Sequence, residues 1–389
     1  MLKDLSAHAV AAGLLAAVVG FASSFAVILQ GLTAMGASEA EVASGLMAAA
    51  IAMGLGGVVV SLATRQPISV VWSTPGAALL ASTGAMAGGF RAAVGAFVIA
   101  SVLIVLAGLW RPLGRAVAAI PAALANALLA GVLLSLCLAP VRAVAAMPAL
   151  ALPVVLTWAV MAQIRRRYAV PAAVVVALGL IAATTHWRGA ALPWPTPVLV
   201  VPQFSTAALL GVALPLFIVT MASQNLPGIA VLQANGYRPA PGTMFWSTGL
   251  FGLIAAPFGS VPMNLAAITA AMCAGPDAHP DPRRRYWAAT VAGLAYIAFG
   301  LLAGPVTAAA AASPPLLVEV VAGLALLGAF GSALLAALAD PASREAALIC
   351  FLVTGSGVTF AGIGGAAWGL LAGGSVLVLG RWRGFGAPG

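Results

Sequence analysis

Apolar runs of bilayer-crossing length follow one another from residue 9 to residue 380, and nearly every charge falls in the breaks between them. Lipid offers no hydrogen-bond partner, so each backbone N–H and C=O at that depth must be satisfied inside the protein, as a helix does. A helical span takes about 20 residues, so a chain of 389 residues has room for a dozen or more with short loops. Only 6% of the residues are charged, against about 25% in a soluble domain. No stretch is polar enough to form a soluble domain, and no linker is long enough to separate one. The first run is followed by no A-x-A cleavage pattern and reads as a retained span.

The spans are expected near 9–35, 42–63, 67–86, 91–109, 113–138, 148–164 and 169–186, then, after a polar Pro-rich link, near 205–235, 241–257, 260–275, 285–303, 314–338, 344–359 and 362–380. Seven are followed by seven, and the halves resemble each other. Arg91, Pro112, Pro121, Asn126 and Gly131 are spaced 21, 9, 5 and 5 residues apart; Arg285, Pro305, Pro314, Glu319 and Gly323 are spaced 20, 9, 5 and 4. Three proline pairs (Pro112 and Pro305, Pro121 and Pro314, Pro148 and Pro341) share one offset of 193. VILQ at 27–30 answers AVLQ at 230–233, and TPGAALLASTGAM at 74–86 answers VPMNLAAITAAM at 261–272. An odd number of spans per repeat turns the second copy upside down, a signature of secondary transporters. The predicted fold is therefore an all-α polytopic membrane protein of about 14 segments in a 7+7 inverted repeat, with repeats at 1–188 and 203–389.

The net charge of +9 reports topology rather than nucleic-acid binding. With both termini cytoplasmic, Arg91, Arg142 and Arg188 face outward and the other fourteen of the 17 Lys and Arg face inward, as the positive-inside rule requires. Cys137, Cys273 and Cys350 lie in or beside apolar runs and suggest neither a disulfide framework nor a metal site. No cofactor is implied, and no paired catalytic carboxylates or Ser/His arrangement points to an enzyme.

Two segments, the third and the tenth, begin with an irregular polar stretch: SVVWSTPG after Pro67 and FGSVPMN after Pro257. Proline is favoured in the first turn of a helix, so Pro75 and Pro262 are read as half-helix starts within the membrane. Such ends present free N–H groups and attract anions, and in an inverted repeat two of them can converge; ordinary Pro-kinked helices are the plainer alternative. Segment eight carries TMASQNLPG, where Ser223, Gln224 and Asn225 precede a helix-bending Pro227. Ser73, Thr74, Gln224, Asn225 and Asn264 are the neutral donors for an anion, and Phe25, Trp72 and Phe258 are candidates to cover an apolar body. Of the eight Asp and Glu residues, only Glu319 falls inside an apolar run. An isolated carboxylate there is costly when ionised, so Glu319 is either a proton carrier or, since its repeat mate is Asn126, a polar packing position.

MASQNLPGIAVLQANGY at 221–237, followed by PFGSVPMNLAAITAAM at 257–272, resembles the benzoate:proton symporter (BenE) family along essentially the whole chain. The resemblance implies the fold shared with uracil/xanthine permeases and sulfate/bicarbonate carriers. In that fold a core domain, here 9–109 and 205–303, moves against a gate domain, here 113–186 and 314–380. The site would lie between half-helices 3 and 10, beside segment 8. It also implies proton-driven import of benzoate or a similar aromatic carboxylate through a bacterial inner membrane. Nucleobase members carry glutamates on segments 8 and 10, whereas Gln224 and Asn264 stand at the nearest positions here. That change suits a carboxylate and removes the usual acidic partner of the proton. A carrier for another small anion or a nucleobase, or a channel, are the rival readings. The partners expected are the carboxylate, a proton and the lipid bilayer, with no nucleic acid; the oligomeric state is left open, a homodimer being one arrangement.

Overall fold

The computed structural model describes residues 5–184, 194–312, 314–358, 360 and 363–385. Lys3 and Arg188, counted above in the charge partition, lie outside them. The first span is two helices, α1 (Ala7–Ala22) and α2 (Phe25–Ala34). The break falls at Ser23 and Ser24, whose hydroxyls both turn back onto the Gly20 carbonyl at 3.1 and 2.7 Å. Such back-bonding disturbs a helix. Next come α3 (Glu39–Thr64), strand β1 (Val70–Trp72), α4 (Thr74–Thr83) and α5 (Gly89–Leu109). Ser38 and Glu41 form a reciprocal capping box at the start of α3, satisfying donors that the first turn leaves free.

The expected span 113–138 is divided. A short amphipathic helix, α6 (Arg111–Ala118), is set apart from α7 (Ala122–Cys137) at Pro121, since proline disfavours helical geometry in the residue before it. Then follow α8 (Ala139–Ala146), α9 (Pro148–Ile164) and α10 (Ala169–Thr184). The second half opens with one stretch of 29 residues, Thr206–Ala234. It comprises α11 (Thr206–Ala208), α12 (Leu214–Thr220) and α13 (Leu226–Ala234), joined by π-helical turns at Leu209–Ala213 and Met221–Asn225. After it come α14 (Pro241–Ala255), strand β2 (Met263–Leu265), α15 (Ile268–Ala274), α16 (Tyr286–Leu301), α17 (Ala303–Ala312), α18 (Pro315–Leu338), α19 (Arg344–Gly355) and α20 (Gly365–Phe385).

Among the described residues six helical stretches are long and apolar enough to cross a bilayer, or seven if Pro282–Leu301 and Ala303–Ala311, bent by 55°, count as one. The remaining expected segments are shorter helices or the two strand-plus-helix elements. The chain is thus mostly helical and of the multi-pass membrane type, but not all-α: β1 and β2 form an antiparallel pair, Val70 opposite Leu265, Val71 opposite Asn264 and Trp72 opposite Met263. The pair solves the problem of unwound backbone in lipid by letting each strand satisfy the other. Ser73 N–H to the Pro262 carbonyl (3.0 Å) and Ala266 N–H to the Ser69 carbonyl (2.9 Å) extend the ladder at both ends.

The pairing corrects one sequence expectation. Pro75 sits in the first turn of α4, whose N-cap is Ser73, but Pro262 precedes a strand, and the following helix begins at Ile268. Asn264 is therefore a strand residue, not a first-turn residue. The offset of 193 shared by the proline pairs carries Val70 onto Met263 and Trp72 onto Leu265, a register six residues away from one that matches Pro75 with Pro262.

Helix packing falls into two sets. In one, α3 runs along α16, α14 along α5, and α1 against α16; in the other, α18 packs on α7, and α19 on α7 and α20. Gly54 and Gly293 let α3 and α16 meet backbone to backbone: a Cβ on either would collide with the other's carbonyl oxygen. Such close approach is how helices associate where lipid provides no hydrophobic drive.

Candidate functional site

A cavity of about 140 Å³ lies where the start of α4, the start of α15, the π-turn at 221–225 and the break between α1 and α2 meet. Its polar lining comes from Ser23, Ser24, Thr74, Gln224 and Thr269, with Trp72 and Tyr296 among the larger side chains. Leu133 of α7 and Ala325, Leu326 and Ala329 of α18 close the opposite side. No charged side chain lines it. A dry cavity of about 150 Å³ is enough for benzene, so the volume is on the scale of one aromatic ring.

Segment eight clamps both strands. The Thr220 and Ser73 hydroxyls are 2.7 Å apart, and Asn225 Oδ1 accepts from the Leu265 N–H at 2.9 Å. A Cβ on Gly228 would run into Leu265, so glycine is what lets this segment lie against β2. Between those two clamps stands Gln224, half-buried on the cavity wall, with no hydrogen-bond partner among the described residues. The π-turn that contains it widens the helix by one residue, a device frequent at functional sites.

Of the residues singled out from the sequence, Trp72, Thr74 and Gln224 are brought together on this wall. Ser73, Asn225 and Asn264 are fully buried beside it and spent on protein hydrogen bonds. In the orientation that satisfies its neighbours, the Asn264 amide donates to the Leu265 carbonyl at 2.8 Å and accepts from the Ser73 N–H at 3.1 Å. Phe25 stacks on Phe21, centroids 5.8 Å apart, and Phe21 in turn contacts Trp72 at 5.3 Å. Phe25 itself lines a separate apolar cavity of about 310 Å³ between α2, α10, α17 and α18. Phe258 sits in a turn whose carbonyl accepts from Ser44 and is not on the wall. Glu319, on α18, lines a third cavity of about 570 Å³ that also includes Gln30, Glu39 and Arg142.

Ser23, Ser24, Thr269 and Tyr296 escaped the sequence reading. The Trp72 indole donates to Ser24 Oγ at 2.8 Å, and the Ser69 and Thr269 hydroxyls are 2.8 Å apart, so both polar groups also hold the site in shape. The adjacent serines interrupting GFASSFAV were the available signal, since paired hydroxyls inside an apolar run need partners.

The wall as a whole is neutral, rich in hydroxyls and one free amide, and sized for a ring. Residues 3–379 match the family described as benzoate membrane transport protein (BenE). The chain is 41% identical over 370 residues to the inner membrane protein YdcO of Escherichia coli K12, covering 95% of this chain and 94% of that protein. It is 30% identical over 377 residues to the benzoate membrane transport protein of Acinetobacter baylyi, with the same coverage. The transmembrane domain of the cyanobacterial bicarbonate transporter BicA superposes with a TM-score of 0.60 at 15% identity, over 98% of this chain and 97% of that one, a likeness of fold alone. Family and fold are those of membrane transporters rather than enzymes. A match that runs from end to end, with a one-ring neutral cavity at its centre, leaves a single assignment: the chain belongs to the BenE family of benzoate membrane transport proteins.

Proposed function

We propose that the chain imports benzoate or a closely related aromatic monocarboxylate together with a proton, across a bacterial inner membrane. The observation that carries this reading is the 140 Å³ neutral cavity with an unpartnered amide, Gln224, on its wall. A carboxylate needs donors and no fixed negative charge nearby, and an aromatic ring needs an apolar body of cavity; both needs are met in one place. The names of the Escherichia coli and Acinetobacter relatives, an inner membrane protein and a benzoate transport protein, support the location and the substrate.

The mechanism proposed is movement of a core domain, near 9–109 and 205–303, against a gate domain, near 113–186 and 314–380. The two packing sets described above support that division. The coincidence of the strand register with the proline offset of 193 supports a 7+7 inverted repeat, with strands at its centre. The test is uptake of labelled benzoate into proteoliposomes under an imposed inward proton gradient, with uracil, sulfate and substituted benzoates as competitors. Saturable accumulation that collapses with a protonophore and is competed only by aromatic acids is expected. Gradient-independent, unsaturable flux, or competition by uracil or sulfate, would overturn the assignment.

A further inference from the structure

The central cavity and the 310 Å³ apolar cavity share two elements. At the break between α1 and α2, Gly20, Ser23 and Ser24 line the first, while Phe21, Ala22 and Phe25 line the second. On α18 the lining of the second ends at Val321 and that of the first begins at Ala325, four residues on, or about 6 Å along a helix. Between the two cavities at the break stands a block of aromatic rings. Phe21 contacts Trp72, which is on the central wall, with ring centroids 5.3 Å apart. Its other ring neighbours are Phe25 at 5.8 Å and Phe299 of α16 at 5.1 Å. Trp72 itself is tied down by its indole N–H, which donates to Ser24 Oγ at 2.8 Å. Phe21 thus rests on a residue of the central wall and also faces the apolar cavity.

We infer that Phe21, braced by Phe25, sets the upper size of the cargo: it backs Trp72, keeps the apolar cavity shut off from the central one, and so limits transport to single-ring carboxylates. This limit rests on the reading of the central cavity as the site of an aromatic acid. A dry cavity of about 150 Å³ is filled by one benzene, so 140 Å³ leaves no room for a fused second ring. The room exists elsewhere in the fold, behind Phe21, in a cavity lined by apolar side chains alone. A smaller residue at 21 would join the two spaces without stranding a polar group, because no polar side chain faces the apolar cavity. Selection is then by exclusion. Overfilling a packed site forces its side chains off their preferred rotamers, and Trp72 has Phe21 behind it and cannot yield.

The experiment is calorimetric binding of benzoate and 2-naphthoate in detergent to wild type, Phe21→Ala, Phe21→Leu and Leu178→Ala. Wild type is expected to bind 2-naphthoate roughly 10- to 200-fold more weakly than benzoate, the range over which a close-fitting apolar pocket discriminates. Phe21→Ala should narrow that gap by about tenfold or more, through a gain of naphthoate affinity that a merely structural role for the ring would not produce. Phe21→Leu keeps apolar packing against Trp72, should move the ratio the same way, and carries the test if the alanine variant does not fold. Leu178→Ala enlarges the apolar cavity from α10 without touching the ring block, and should leave the ratio at its wild-type value. Equal wild-type affinity for the two acids, or an unchanged ratio in the folded Phe21 variants, would overturn the proposal while leaving the benzoate reading standing. So would a ratio shifted as much by Leu178→Ala as by Phe21→Ala. Absence of benzoate binding by the wild type would overturn both.

Discussion

Replacing Gln224 separates a donor facing the ligand from a merely structural amide. Gln224 lines the cavity and has no hydrogen-bond partner among the described residues, so its loss should leave the fold intact. Gln224→Ala removes at most one hydrogen bond to a charged group, ~1.5–3 kcal/mol, or about 10- to 150-fold in affinity. Gln224→Glu is nearly isosteric yet turns a donor into an acceptor and adds a charge. Two like charges about 4 Å apart repel by up to ~4 kcal/mol at an effective dielectric constant near 20. The acidic variant should therefore bind benzoate roughly a thousandfold more weakly than wild type at pH 8, well below the alanine variant. The glutamate escapes the repulsion by taking up a proton, which also restores a donor, so its affinity should recover at pH 5.5 while that of Gln224→Ala stays flat. Calorimetry in detergent at the two pH values reads all of this directly. Wild-type-like affinity of Gln224→Glu at pH 8 would mean that this amide does not face the carboxylate, and the reasoning from an unpartnered donor would fail.

Asn225 provides the structural contrast: Asn225→Ala strands the buried Leu265 N–H at a cost of about 1–3 kcal/mol, and should lower the melting temperature in detergent where Gln224→Ala does not. Gly54→Leu, which forces α3 away from the Gly293 carbonyl, should cost about 1–3 kcal/mol or more and sharply reduce the yield of folded protein in size-exclusion chromatography. For topology, a cysteine at Arg142 should react with an impermeant thiol reagent applied to intact cells, and cysteines at Arg166 or Arg284 should react only after lysis; the opposite pattern would reverse the orientation.

The parts of the fold that the sequence discloses are those written in hydropathy and proline. Lipid punishes every unsatisfied backbone group, so span positions follow from apolar runs, and Pro75 and Pro121 mark real breaks. Hydropathy is silent where a segment leaves the helix but remains buried: Val70 to Trp72 are as apolar as a helix would be, and Met263 to Leu265 depart from that only at Asn264. Their strand character comes from the partner strand almost two hundred residues away. That long-range pairing places the helix start at Ile268 rather than Pro262 and ties the Asn264 amide into hydrogen bonds within the protein. Trp72, Thr74 and Gln224 were legible because polar or amphipathic groups at membrane depth need a reason to be there. Ser23 and Ser24 obey the same rule but signal less, because a serine can also satisfy its own helix, as both partly do.

The central cavity has two unlike walls. Its polar side chains come from the α1–α2 break, β1, α4, α15, α16 and segment eight, while α7 and α18 contribute Leu133, Ala325, Leu326 and Ala329. Cargo bonded to the first wall touches the second only through dispersion, which has no preferred register and loses little when one surface slips a few ångströms past another. In the domain movement proposed above, the sliding side is thus non-stick. A polar residue introduced there, as in Ala329→Ser, would act as a brake on turnover, lowering kcat while leaving equilibrium binding of benzoate nearly unchanged.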